Sequence, residues 1–163
     1  MGEEMDEMTD PVFGRLMFDG FWSKPYVISL FEAEVELGVR IQCGRDEEIE
    51  SSQRMAFEQF EANKERIIGE AENAILDYYR ETAPIYREMF GETDSGRRVP
   101  PVEVVVDLRD VLTPLYLWFP WNFTENELNV GIVFDCTWDP GHGLAVKIVN
   151  GEVAEVGSQD IVL

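Results

Sequence analysis

The sequence predicts an α+β domain: an antiparallel sheet made of an N-terminal and a C-terminal meander, with one long helix packed across a face. Three stretches carry that reading. Val130, Ile132, Phe134, Cys136 and Trp138 alternate with Gly131, Val133, Asp135 and Thr137, the period-two pattern of a strand with one buried face. Val35, Leu37, Val39, Ile41 and Cys43 alternate in the same way with Glu34, Glu36, Gly38, Arg40 and Gln42. Between these two stretches, from about residue 51, the apolar spacing changes to three and four, which marks a helix.

In chain order, residues 1–10 carry five carboxylates and no basic residue, so they read as a frayed acidic tail and not as a signal peptide. The domain proper is expected over residues 11–163. Residues 12–18 read as a strand, Asp19-Gly20 as a hairpin turn, residues 26–31 as a second strand and residues 34–43 as a third. Asp46-Glu47-Glu48 is a charged connector. The helix opens at Ser51 or Ser52, either of which is a good N-cap. Phe57, Phe60, Lys64, Ile67, Ile68, Ala71, Ala74, Ile75 and Tyr78 fall on one side of it, and Pro84 is expected to stop it after about Arg80. A short turn over residues 86–90 and a polar loop over residues 91–101 follow.

Residues 102–119 read two ways. Val104, Val105 and Val106 favour a strand, whereas residues 107–112 suit a short helix capped by Asp107. After Pro114, residues 115–119 are apolar enough for a buried strand. Tyr116, Trp118, Phe119, Trp121 and Phe123 make the densest aromatic stretch, read as core, and residues 124–127 as a solvated loop. The strand from Val130 ends in Asp139-Pro140-Gly141-His142-Gly143, a turn by composition. Leu144, Val146 and Ile148 restart the alternation, and Asn150-Gly151 closes a second hairpin, because this pair tolerates positive φ at both positions.

The 163 residues, 45% hydrophobic and 12% aromatic, suit one packed domain with no apolar run long enough to span a bilayer. Thirty-three acidic residues against 13 basic ones give a net charge of −20. That field repels nucleic acid and anionic membranes and attracts a basic protein partner, besides serving solubility. Cys43 and Cys136 fall on inward faces and read as reduced, inert thiols of a cytoplasmic protein, with a disulfide between them as the alternative if their strands are adjacent.

Two constellations bear chemistry. Asp135, Asp139 and His142 are close in sequence, but the spacing matches no metal motif and supplies no nucleophile. His142 between two glycines reads as a turn residue whose Nδ1 holds the loop by bonding a backbone group. On the helix, Glu58, Glu61, Glu65 and Glu72 form a stripe beside the apolar seam, an arrangement that suits docking of a basic partner and is otherwise an ordinary solvated face.

Trp138-Asp139-Pro140-Gly141-His142-Gly143-Leu144-Ala145-Val146, with the Asn150-Gly151-Glu152-Val153 hairpin and the closing Gly157, resembles the C-terminal end of a group of small uncharacterised bacterial domains. Their pattern is W-D-x-E-H-G-L-G-V, a D-G-x-V hairpin and a final glycine. Asp10-Pro11-Val12-Phe13-Gly14, Trp22, Gln53 and Tyr78-Tyr79 are similar to the rest of that group. Such domains look like immunity proteins of polymorphic toxin systems. The chain departs at Gly141, where the pattern has an acid, so no acid–histidine pair is expected from that position, and at Ala145, where it often has glycine. The resemblance and the charge together imply a non-enzymatic cytoplasmic protein-binding domain without a cofactor, an immunity protein that meets a basic toxin through Glu58, Glu61, Glu65 and Glu72. Trp138, Asp139 and His142 stand as a motif of unassigned role. The rival readings are an enzyme or metal protein using Asp135, Asp139 and His142, and an acidic mimic of nucleic acid.

Overall fold

A computed structural model describes residues 6–122 and 126–163. Eight strands form one sheet in sequence order: β1 (Glu7–Asp10), β2 (Gly14–Phe18), β3 (Trp22–Leu30), β4 (Ala33–Ile41), β5 (Leu112–Phe119), β6 (Asn129–Cys136), β7 (Leu144–Val149) and β8 (Glu152–Gly157). Neighbours are antiparallel except β4 and β5, which run parallel with Val39 opposite Leu117 and Ile41 opposite Phe119. The two meanders are therefore halves of one sheet. A parallel pair needs a long crossover, and here it contains α1 (Ser51–Ala62), α2 (Lys64–Arg98) and a 3-10 turn at Val105–Asp110.

The acidic segment does not stay a tail. Glu7–Asp10 pairs with β2, and the Asp10 carboxylate is buried, accepting the N–H groups of Val12 and Phe13 at 2.9 Å each and the Arg54 guanidinium at 2.8 Å. Burial works to raise the Asp10 pKa, but Arg54 and the two backbone donors outweigh it and hold the carboxyl below the usual aspartate range. Residues 1–5 of the expected tail lie outside the described residues, as do Phe123, Thr124 and Glu125 of the expected aromatic stretch and loop.

Both helices cover the same face of the sheet. Phe57, Phe60, Ile67, Ile68, Ala71 and Ile75 are buried there, against Leu37, Val39, Ile41, Leu117, Phe119, Ile132, Phe134, Val146 and Ile148. Phe13, Phe57 and Phe119 form an aromatic cluster with centroids 4.7–5.7 Å apart. Glu50 is the N-cap in place of either serine, and the buried Gln53 is the reason. Its Oε1 accepts the Glu50 N–H at 2.9 Å, while its Nε2 donates to the carbonyls of Gln42 at 2.9 Å and Phe119 at 3.1 Å. One amide thus ties the helix start to the ends of the parallel strands.

The single expected helix is broken at Asn63, whose side-chain amide donates to the Gln59 carbonyl at 3.0 Å. It also continues through Pro84, contrary to expectation. Pro84 sits on the exposed side, while Ala83 is buried and Arg87 donates to the carbonyls of Val99 and Pro100. Contacts on both sides offset the one backbone bond that proline cannot make. The bend falls instead at Gly91, with φ 74°. Residues 105–110 form a 3-10 turn and not a strand, with Asp107 accepting the N–H groups of Glu103 and Val104.

β6 departs from simple alternation: Gly131 and Val133, expected to face outward, are buried. The C-terminal segment covers that side, and a Cβ on Gly131 would meet the Val162 side chain at 2.9 Å. Cys43, two residues past the end of β4, and Cys136, at the end of β6, are buried free thiols, and β5 lies between those two strands.

Candidate functional site

The four glutamates of the helix stripe do not act alike. Glu58, Glu61 and Glu65 are exposed; Glu72 is half-buried. Glu58 and Glu61 flank a shallow dip of about 420 Å³ whose other lining residues are Val12, Phe57 and Ala62. Glu61 is partly compensated by Lys64, 3.8 Å away, whose Nζ also donates to the Tyr26 hydroxyl at 3.2 Å. Glu65 lies beyond the Asn63 break, on a surface shared with Lys64 and Arg66. The break is why the stripe is discontinuous, since α1 and α2 do not share one helical register.

Glu72 has been recruited into the fold. Its carboxylate accepts the Phe31 N–H at 2.7 Å, across 41 residues of chain. Burial pushes its pKa up, the Phe31 bond works downward, and neighbouring Glu32 adds to the rise. A residue expected to meet a partner is instead holding the β3–β4 turn. Sequence offered no sign of this, because the acceptor for a remote backbone N–H has no local pattern.

The C-terminal turn is equally definite. Trp138 is buried, as the alternation predicts, and stacks edge-on against Tyr79 at 5.1 Å. Asp135 points to solvent on the other side of β6. Asp139 and His142 do come together: His142 Nδ1 donates to Asp139 Oδ1 at 3.0 Å. An acid–histidine pair therefore exists despite Gly141, with Asp139 as the acid, and Nδ1 bonds a carboxylate where a backbone group was expected. The hydrogen bond and charge of Asp139 raise the imidazole pKa above its ordinary value. Tyr86, a residue that sequence reasoning left in a minor turn, donates its hydroxyl to Asp139 Oδ2 at 3.2 Å.

What this arrangement does chemically is limited by its neighbours. The His142 carbonyl accepts the Gln159 N–H at 3.0 Å, and Gln159 Nε2 donates to the Phe134 carbonyl at 2.9 Å. Gly143 turns at φ 63° directly under that side chain. Cys136 donates its thiol to the Asp139 carbonyl at 3.4 Å, and burial pushes its pKa up to about 11, the opposite of an activated nucleophile. The Asp139–His142–Tyr86 set latches the β6–β7 loop to α2 and to the C-terminal segment. Among the described residues no three His, Cys, Asp or Glu side chains gather as a metal ligand set, and no helix is long and apolar enough to cross a membrane.

Fold and sites together define an α+β domain with a single mixed sheet, its helical layer on one side and an Asp139–His142 pair in the β6–β7 loop. Residues 12–163 match the family described as a domain of unknown function (DUF6985), and the chain belongs to it. No curated protein and no solved structure matches the chain.

Proposed function

We propose that this domain is a non-enzymatic protein-binding module of the bacterial cytoplasm, an immunity protein that occludes a toxin carrying a basic surface. The observation that supports this most directly is the dip at the start of the helical layer. The exposed Glu58 and Glu61 line it together with Val12, Phe57 and Ala62. Carboxylates around a small apolar patch suit a partner that presents a cation-ringed apolar anchor. The net charge of −20 steers such a partner from a distance. Glu72 has no part in this surface. The resemblance of the C-terminal motif to immunity-like domains adds the partner class.

The test is association kinetics with a candidate basic toxin domain, chosen from genes adjacent to this one, followed by stopped flow across a salt series. Reversing Glu58, Glu61 and Glu65 to Lys is expected to slow association about tenfold or more at low salt, in the range of electrostatic steering. The effect should shrink at physiological salt, where the Debye length is about 8 Å. An on-rate indifferent to both salt and the triple reversal would remove this surface from the interface.

A further inference from the structure

The helix-free face of the sheet carries a groove that the acidic surface does not use. Ser23 and Pro25 of β3 and Gly38 of β4 form its floor, Arg15 and Met17 of β2 one wall and Arg40 of β4 the other. Its volume is about 650 Å³, the size of many small-molecule sites. Gly38 keeps the floor low, because it is the residue opposite Pro25 on one side and Tyr116 on the other.

Arg40 is the unusual member. Its guanidinium lies 4.3 Å from the centre of the Tyr116 ring. Among the described residues it makes no ion pair and no hydrogen bond, while Arg15, Arg45, Arg54 and Arg66 each pair with a carboxylate. In a chain with 33 acidic residues against 13 basic ones, a groove-lining guanidinium that lies over a ring and pairs with no carboxylate is available to a ligand's anion. Its register partner on β5 is Trp118, on the same face and buried. The Trp118 Nε1 is the one buried side-chain nitrogen or oxygen without a partner among the described residues. Arg40 is exposed, so water alone serves its guanidinium donors, and an anion entering the groove displaces no protein partner.

We propose that this groove binds a small organic anion, with its carboxylate or phosphate group on the Arg40 guanidinium and its uncharged body along the Ser23–Pro25–Gly38 floor. A guanidinium fork matches the two oxygens of either group, and the Tyr116 stack fixes the fork in advance. Asp19 and Glu36 also line the groove, so it accepts a single anionic group and opposes a polyanion. Trp118 lies on the β5 side of Arg40, next to the groove and not among its lining residues, so its indole reports on Arg40 without touching the ligand. This site is separate from the Glu58–Glu61 surface, and its test does not depend on any protein partner.

The experiment is a titration of the ¹⁵N-labelled full chain with phenyl phosphate, with benzoate and with uncharged benzyl alcohol. The indole resonances are read, with Trp118 assigned among four tryptophans through a Trp118→Phe variant, or by elimination with single Phe variants of Trp22, Trp121 and Trp138 if that variant does not fold. A saturable shift of the Trp118 signal with at least one anion and none with benzyl alcohol is expected, and the two anions separate the phosphate from the carboxylate source. Arg40→Ala, a change at an exposed position, should weaken that affinity about tenfold or more, as loss of a charged hydrogen-bond partner does. Arg40→Lys should fall between, and Arg97→Ala should leave binding unchanged. No saturable shift with either anion, or equal affinity in Arg40→Ala and the parent, would overturn the proposal.

Discussion

Two hairpin turns in this sheet have the same shape and opposite origins. Asn150-Gly151 joins β7 to β8 with φ of 51° and 80°, and Phe31-Glu32 joins β3 to β4 with φ of 53° and 64°. Positive φ at both central residues is the demand of the tight turns that suit the twist of paired strands. Asn-Gly meets it almost without cost, whereas a bulky residue there stores strain. The second turn is held from outside. Glu72 accepts the Phe31 N–H, Arg109 donates to the Phe31 carbonyl at 2.6 Å, and the buried Phe31 ring packs 6.1 Å from Phe134. A turn is specified either by its own residues or by what surrounds it, and only the first kind is visible locally.

Substitutions break the comparison in order of size. Phe31→Ala removes the ring that anchors the imposed turn, and urea unfolding should show a loss of about 3–5 kcal/mol, typical of Phe→Ala in a core. Should the loss be no greater than that of a change in the Asn-Gly turn, the ring is not what holds the backbone. Glu72→Ala leaves the Phe31 N–H without its acceptor and should cost about 1.5–3 kcal/mol, the scale of a hydrogen bond to a charged group. Amide exchange at Phe31 should accelerate beyond that at Glu152, which follows the self-specified turn. Asn150→Ala loses a residue that accepts positive φ, which by itself should cost about 1 kcal/mol. It also removes the Asn150 Oδ1 that accepts the Leu128 N–H at 2.8 Å, so a value well above that would assign the excess to this bond.

The same division explains how much of the molecule the sequence disclosed. Period-two stretches gave β4, β6 and β7, Asn-Gly gave the last hairpin, and three–four spacing gave the buried face of α1 and α2, because each is a local pattern. Trp138 was legible as buried for the same reason. The parallel seam of β4 with β5 was not, since it depends on Gln53 reaching two strand ends that are 77 residues apart in sequence, at Gln42 and Phe119. Helix through Pro84 and strand at Glu7–Asp10 are likewise set by distant partners, Val99 and Pro100 in one case and Arg54 in the other. Of the sites, the Asp139–His142 proximity was readable from spacing alone, but Tyr86 lies 53 residues from Asp139 and gave no signal. Glu72 was misplaced because a helical wheel assigns faces and cannot tell which carboxylate a remote turn will claim.

The smallest expected effect sharpens the comparison further, because two buried or half-buried carboxylates that both hold turns should respond to acid with opposite sign. Asp10 caps the turn between β1 and β2 with its pKa held below the ordinary 3.8. The unfolded chain therefore takes up that proton first, so the stability contributed by Asp10 is fully present above its ordinary value and is lost as pH falls through the depressed folded one. Glu72 holds the Phe31 turn with its pKa pushed above the ordinary 4.5, chiefly by burial. Here the folded state binds the proton first, so lowering the pH from above the raised value down to the ordinary one adds stability. Urea midpoints measured from neutral pH into the acid range on Glu72→Gln and Asp10→Asn read the two contributions separately. Against the parent, Glu72→Gln should lose ground as the pH drops, since its amide has no proton to gain, while Asp10→Asn should gain ground at the acid end. Parallel profiles for Glu72→Gln and the parent would mean that the carboxylate at Phe31 is as well solvated as one in the unfolded chain, and the imposed turn would then rest on Arg109 and the Phe31 ring.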